Sequence, residues 1–233
     1  MTEATHTVKS YEQELEHLRS LMAQMGGLVE RQTAQAVKAV VDGDEEAAIE
    51  APELDPEVDE LEREAEALAI RILALRSPMA VDLRTIVAAL KVTGDLERIG
   101  DYASSIARRA MKLEMDGSTM SLVGLKNMGR LVQDNLRRAI DALTERDRDG
   151  AVAVWQADTA VDELYTAMFR ELVTYMMEDP RNITACIHLL FVAKNLERIG
   201  DHTTNIAERV YYAVTGEMLP AVRPRGGRGH TST

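Results

Sequence analysis

The sequence predicts an all-α protein made of two tandem three-helix bundles. Three observations lead there. Aromatic residues are scarce, at 4% against an apolar content of 45%. Proline and glycine are missing over long stretches whose apolar residues keep a helical period. The six residues "LERIGD" occur at 96–101 and again at 196–201. A core short of rings and rich in Ala, Leu, Ile, Val and Met suits helices better than a sandwich or barrel. At 233 residues the chain has room for one large domain or two of about 100 residues each.

The elements follow in order. The run "YEQELEHLRSLMAQMGGLVERQTAQAVKAVV" predicts a first helix to Asp42 and Gly43, with Gly26 and Gly27 as a place where it can bend. A second helix runs to Arg76. Its best section follows Pro56, where Leu54, Val58, Leu61, Ala65, Leu68, Ile72 and Leu75 alternate steps of four and three in one apolar stripe. Ser77 as N-cap and Pro78 at the first helical position predict a third helix from there to about Met115, ended by "DGST". The second half repeats the scheme, with a helix over 119–147, a turn at "DRDG", and a helix over 149–178. The last opens around Pro180 and ends near Gly216. The expected division is 1–116 and 117–217, followed by a basic, Gly- and Pro-rich tail over 218–233 that reads as disordered.

The halves match residue by residue. Leu90, Val92, Leu96 to Asp101, Ile106, Ala107 and Arg109 meet identical residues 100 positions later, and "DPEVDEL" at 55–61 meets "DTAVDEL" at 158–164. This is an internal duplication. On the third helix of each half, Glu97 and Asp101, or Glu197 and Asp201, lie about 40° apart and more than about 120° from the centre of the apolar stripe. On the second helix, Asp55 and Asp59, or Asp158 and Asp162, form another i, i+4 pair about 90° from their stripe. If the two helices pack side by side, four carboxylates converge in each half.

Like charges at this spacing repel by a few tenths of a kcal/mol per pair when exposed, unless a cation sits among them. Oxygen donors of this kind suit Mg²⁺, Mn²⁺, Ca²⁺ or iron. The chain is acidic throughout, and Glu60/Glu64 and Glu62/Glu66 share the spacing. On spacing alone, a solvated acidic face and a cation site stand level. Gly100 and Gly200 imply a close approach to the helix backbone, with a tight helix crossing as the commoner cause. Arg98 and Arg198 read as partners of neighbouring carboxylates or as plain surface residues. His202 points about 100° away from Asp201 and answers to Tyr102, which speaks against a ligand role. Cys186 reads as a buried small hydrophobe, and as the single cysteine it excludes an internal disulfide.

Two three-helix units, each with D-x-x-x-D-E-L on its second helix and L-E-R-I-G-D on its third, resemble the PhoU phosphate-signalling family. The resemblance runs from about residue 8 to 215 and includes "DLR" at 82–84, where the second half has "NIT" instead. It implies paired E(D)xxxD motifs that hold divalent or iron cations (Fe, Mn, Mg or Zn), in multinuclear clusters. The implied ligands are Asp55, Asp59, Glu97 and Asp101 for one cluster and Asp158, Asp162, Glu197 and Asp201 for the other. It further implies negative regulation of phosphate uptake and of the phosphate-starvation response. The implied partners are the ATPase subunit of the phosphate ABC transporter, a sensor histidine kinase, and further copies of the chain in a homodimer or larger assembly.

Charge and composition bound the alternatives. A formal charge of -12 gives nucleic acid no general electrostatic footing. No basic, then apolar, leader opens the sequence, and no apolar run approaches about 18 residues. The expectation is a cytoplasmic protein that meets the membrane only through partners. An enzyme of the di-metal carboxylate type is disfavoured, because no histidine follows the acidic pairs at Glu-x-x-His spacing. A metal-free helical scaffold is the other alternative.

Overall fold

The computed structural model describes residues 2–113 and 122–220. Seven α-helices and one short 3₁₀ turn account for nearly all of them, and no strand occurs among the described residues. The helices are α1 (Thr2–Val41), α2 (Glu45–Glu53), α3 (Asp55–Arg76), α4 (Val81–Ala110), α5 (Val123–Glu145), α6 (Arg148–Glu178) and α7 (Ile183–Thr215). The all-α reading holds. The expected helix end near Met115, the "DGST" stop and most of the tail fall outside the described residues.

Three boundaries differ from the sequence reading. The first helix begins at Thr2, well before Tyr11, since nothing between them breaks a helix. The predicted second helix is two. Asp44 caps α2 by accepting from the Ala47 N–H at 2.9 Å, and α2 stops where Pro56, lacking an N–H, cannot bond the Pro52 carbonyl four residues back. The Leu54 N–H takes that carbonyl instead. Finally, Ser77 does not cap α4. It closes α3 in the left-handed region (φ 48°), Ala80 also has positive φ, and α4 starts at Val81. The Ser-Pro pair thus belongs to a tight reversal between antiparallel helices.

The two halves pack as a pseudo-twofold pair. The third helices α4 and α7 run antiparallel, and partner numbers fall on one as they rise on the other. Arg84 lies against Gly216, Asn205 donates to Asp95 at 3.2 Å, Asn195 donates to Ser105 at 3.0 Å, and Arg109 sits over Phe191. Asp95 answers to Asn195 and Ser105 to Asn205, so the two hydrogen bonds are copies of each other. The rings of Tyr102 and His202, also equivalent, lie 5.7 Å apart at the crossing. His202 Nδ1 is 2.8 Å from Asp95 Oδ1. The same symmetry governs α1 on α5, where Ile140 fills the space a side chain at Gly26 would need, and Val37 does so at Gly129. Gly26 is therefore a docking notch in a continuous helix. One hydrophobic cluster runs through both halves, from Leu18, Ile72 and Ile99 to Leu136, Met168 and Ile199.

The "DLR" of the first half also finds its reason here. Asp82 accepts from the Tyr11 hydroxyl at 3.0 Å, and burial together with that bond pushes the phenol up to about 12. The Arg84 guanidinium lies against Gly216, at the negative end of α7. In the second half Thr184 stands at the position matching Arg84.

The glycine notches give a direct test. A methyl at Gly129 would stand 2.7 Å from a Val37 methyl, whereas one at Gly27 would meet nothing within 4 Å. Gly129→Ala should lower unfolding stability by about 1–3 kcal/mol through overpacking. Gly27→Ala should raise it by up to about 1 kcal/mol through helix propensity. Urea denaturation of the two variants checks both signs.

Candidate metal centres

The acidic pairs lie along the grooves between the second and third helices of each half, α3 with α4 and α6 with α7. Val161 packs on Gly200, and Gln32 with Val58 packs on Gly100. The repeated glycine thus admits a neighbouring side chain at a tight crossing and brings the carboxylate-bearing helices close.

In the second half, one oxygen each from Asp158, Asp162 and Asp201 lies within 4.8 Å of the others, a separation a single cation can span. Asp158 is 3% exposed and accepts from the Thr204 hydroxyl at 2.9 Å. The sequence placed it away from the core stripe, but α7 closes over it and supplies the donor that makes burial tolerable. Asp162 and Asp201 open to the groove mouth. Loss of surrounding water, then the negative charge of Glu197, holds both carboxyls above their ordinary range, and Asp162 pushes Asp201 further. Glu197 does not join the trio. Its carboxylate is ion-paired with the Lys194 ammonium, which also lies 5.2 Å from the Tyr165 ring centre.

The first half is arranged differently. Asp55 is held by Gln32 and Ser104, whose donor atoms lie 2.9 and 3.0 Å from its Oδ1, and it is 3.6 Å from Arg108. Ser104 answers to Thr204, so in both halves the first aspartate of D-x-x-x-D ties its helix to the third helix. Arg98 lies 3.4 Å from Glu97 and 3.3 Å from Asp101, and so bridges the two carboxylates. Among the described residues no trio forms here as it does in the second half. Arg198 instead lies 5.5 Å over the Tyr102 ring.

Sequence reasoning took Glu62, paired with Glu66, only as part of the acidic background. Its carboxyl is raised by burial, then by Glu66 and Asp59, and it adds to the field at Glu97. Glu97 is raised from its ordinary 4.5 to about 6, by burial first and then by Asp101. The signal was available: Glu62 answers to Tyr165, and Gly94 to Lys194. One half has a carboxylate and a glycine where the other has a ring and an ammonium.

Comparison with known proteins places this arrangement. The PhoU domain matches the chain twice, over residues 22–110 and 125–210. The chain belongs to the PhoU family. It is 51% identical over 226 residues to the phosphate-specific transport system accessory protein PhoU homolog of Caulobacter vibrioides, covering 97% of each chain. The crystal structure of PhoU from Pseudomonas aeruginosa superposes with a TM-score of 0.86 at 45% identity, over 89% of this chain and 100% of that one. The phosphate transport system regulatory protein PhoU from Streptococcus pneumoniae gives 0.83 at 28% identity, over 90% of this chain and 99% of that one. Both PhoU matches span their half's acidic groove.

The raised carboxyl of Glu97 sets a pH dependence for metal-stripped protein. Between about 4.5 and 6 the folded state holds a proton that the unfolded chain has released. This group's contribution to stability is full below about 4.5 and is lost as pH rises through about 6. In EDTA, Glu97→Gln should melt with a shallower fall over that window than the parent protein. Identical slopes would show that Glu97 titrates normally.

Proposed function

We propose that this chain is a regulatory accessory protein of phosphate uptake, a cation-bearing helical adaptor that restrains uptake and the phosphate-starvation response. Its partners are the ATPase subunit of a phosphate ABC transporter and a phosphate-responsive sensor histidine kinase. It meets them as a homodimer or higher oligomer on the cytoplasmic side of the membrane. Family membership supports the phosphate-transport part of this reading. No described helix is long and apolar enough to cross a membrane, which fits attachment through partners.

The observation that carries the cation part is the convergence of Asp158, Asp162 and Asp201. All-oxygen donors at such a site suit Mg²⁺, Mn²⁺, Fe or Zn²⁺, the carboxylates favouring the harder ions. The same residues argue for binding over turnover. His202, next to Asp201 in the sequence, commits its Nδ1 to Asp95 of the other half. Two of the three carboxylates open to water, where no reaction is sheltered. Bound cations neutralise the acidic groove, so occupancy changes which charged partner surface it accepts.

The halves should load unequally. In the second, Lys194 supplies an ammonium beside Glu197 and leaves room for one ion among the three aspartates. In the first, Glu62 and Gly94 give more negative charge and more space once Arg98 swings away, which suits more than one ion. Metal analysis after Mn²⁺ loading should show Lys194→Gly gaining metal over the parent. Mn²⁺ should raise the melting temperature of EDTA-stripped protein, since a ligand of the native state stabilises it. Replacing Glu97, Asp101, Glu197 and Asp201 with Ala should abolish that rise. A parent protein that takes up no metal returns the acidic grooves to plain solvated surface. If replacing all eight carboxylates leaves both partner contacts and phosphate repression intact, the cations have no part in signalling.

A further inference from the structure

Away from the acidic grooves, four helices meet around a cleft that the proposed function does not use. A narrow slot of about 40 Å³ opens between α1, the start of α4 and the ends of α5 and α7. Its walls are apolar, with Met22, Ala89, Val92, Leu143 and Val210 among them. An open groove of about 360 Å³ adjoins it, sharing Arg19, Met22, Leu143 and Arg146 and adding Ser20 and Thr144. Arg209 lines the slot as well.

The three arginines are not equivalent. Arg19 donates to Glu16 at 3.0 Å, at the groove rim. Among the described residues, neither Arg146 nor Arg209 has a carboxylate within ion-pair reach, in a chain with 39 acidic residues against 27 basic ones. The Arg209 Nε is buried without a hydrogen-bond partner, and such a group loses its water without compensation. Arg146 sits at the end of α5 in the left-handed region, φ 56° and ψ 38°, where glycine is the cheaper residue. The fold holds an arginine at that place and turns it into the cleft.

The repeat supplies a control. Arg109, the equivalent of Arg209, also has an unbonded Nε, but its guanidinium lies 4.0 Å from the Phe191 ring centre, so its charge has a partner. The position answering to Phe191 is Lys91, so that partner is missing from the other copy. The duplication left one arginine covered and the other open.

We propose that this cleft binds a small amphipathic dianion, an alkyl phosphate monoester. Its phosphate would be taken by the Arg146 and Arg209 guanidinium groups; its hydrocarbon would lie along Met22 and Leu143, the apolar floor that the slot shares with the larger open groove, with only one or two carbons inside the slot itself. Two unpaired guanidinium groups balance two negative charges, and their planar forks match phosphate oxygens. The apolar walls reject a bare ion that needs hydrogen bonds on every side.

The test is calorimetric titration of the full chain with hexyl phosphate in EDTA, which keeps any cation in the acidic grooves out of the measurement. Hexanol and inorganic phosphate serve as controls. The expected result is saturable one-site binding of hexyl phosphate, weakened about tenfold or more in Arg146→Gly and in Arg209→Gln. Both controls should bind far more weakly. Arg146→Gly places glycine where the backbone favours it, so its melting temperature should match or exceed the parent's, and lost binding cannot be laid to unfolding. Failure of hexyl phosphate to bind, equal binding of either control, or binding untouched by both substitutions would overturn the proposal.

Discussion

The antiparallel contact of α4 with α7 is the constraint on which the rest of the molecule depends. Each of these helices is the third of its repeat, and each carries an LERIGD segment. Asp95 lies on α4 with little exposure and receives both Asn205 and His202 from α7. A half-buried carboxylate with its donors on the opposite half would be left unpaired if the halves separated. The symmetric Asn195 to Ser105 bond and the glycine notches between α1 and α5 close the same interface. The duplicated units therefore share one core, and each acidic groove is set by how the shared interface orients its third helix.

Within that frame the halves diverge where the chemistry lies. The first aspartate of each D-x-x-x-D is a structural tie, bonded to Ser104 or Thr204 on the facing helix. What differs is the second layer of charge. Lys194 and Tyr165 occupy one groove where Gly94 and Glu62 occupy the other, and Arg98 bridges carboxylates in the first half while Arg198 leaves its groove for Tyr102. Duplication preserved the packing skeleton and let the electrostatics of the two grooves drift apart, and on the proposed cation-binding reading the two grooves would load differently.

Much of this was legible in the sequence because helical period and repetition are local signals. The all-α fold, the offset of 100 residues, the outward pairing of Glu97 with Asp101 and the buried Cys186 all follow from spacing. The rest depends on tertiary contact. Ser77 and Pro78 have the chemistry of a helix start, yet Ser77 closes the previous helix in the left-handed region because the chain must reverse within four residues. Asp158 sits off its helix's stripe yet is buried, because α7 covers it and provides Thr204. Gly26 looks like a hinge, and only Ile140 of the other half shows it to be a socket. Glu62 was read with Glu66 as general acidic background because it lies outside the repeated motif.

The most direct test of the central claim is anomalous diffraction at the manganese edge from crystals grown with Mn²⁺. The account predicts a peak among Asp158, Asp162 and Asp201, and density in the α3/α4 groove at Asp59, Glu97 and Asp101 with Arg98 displaced. Manganese bound elsewhere on the molecule, with both grooves empty, would contradict it.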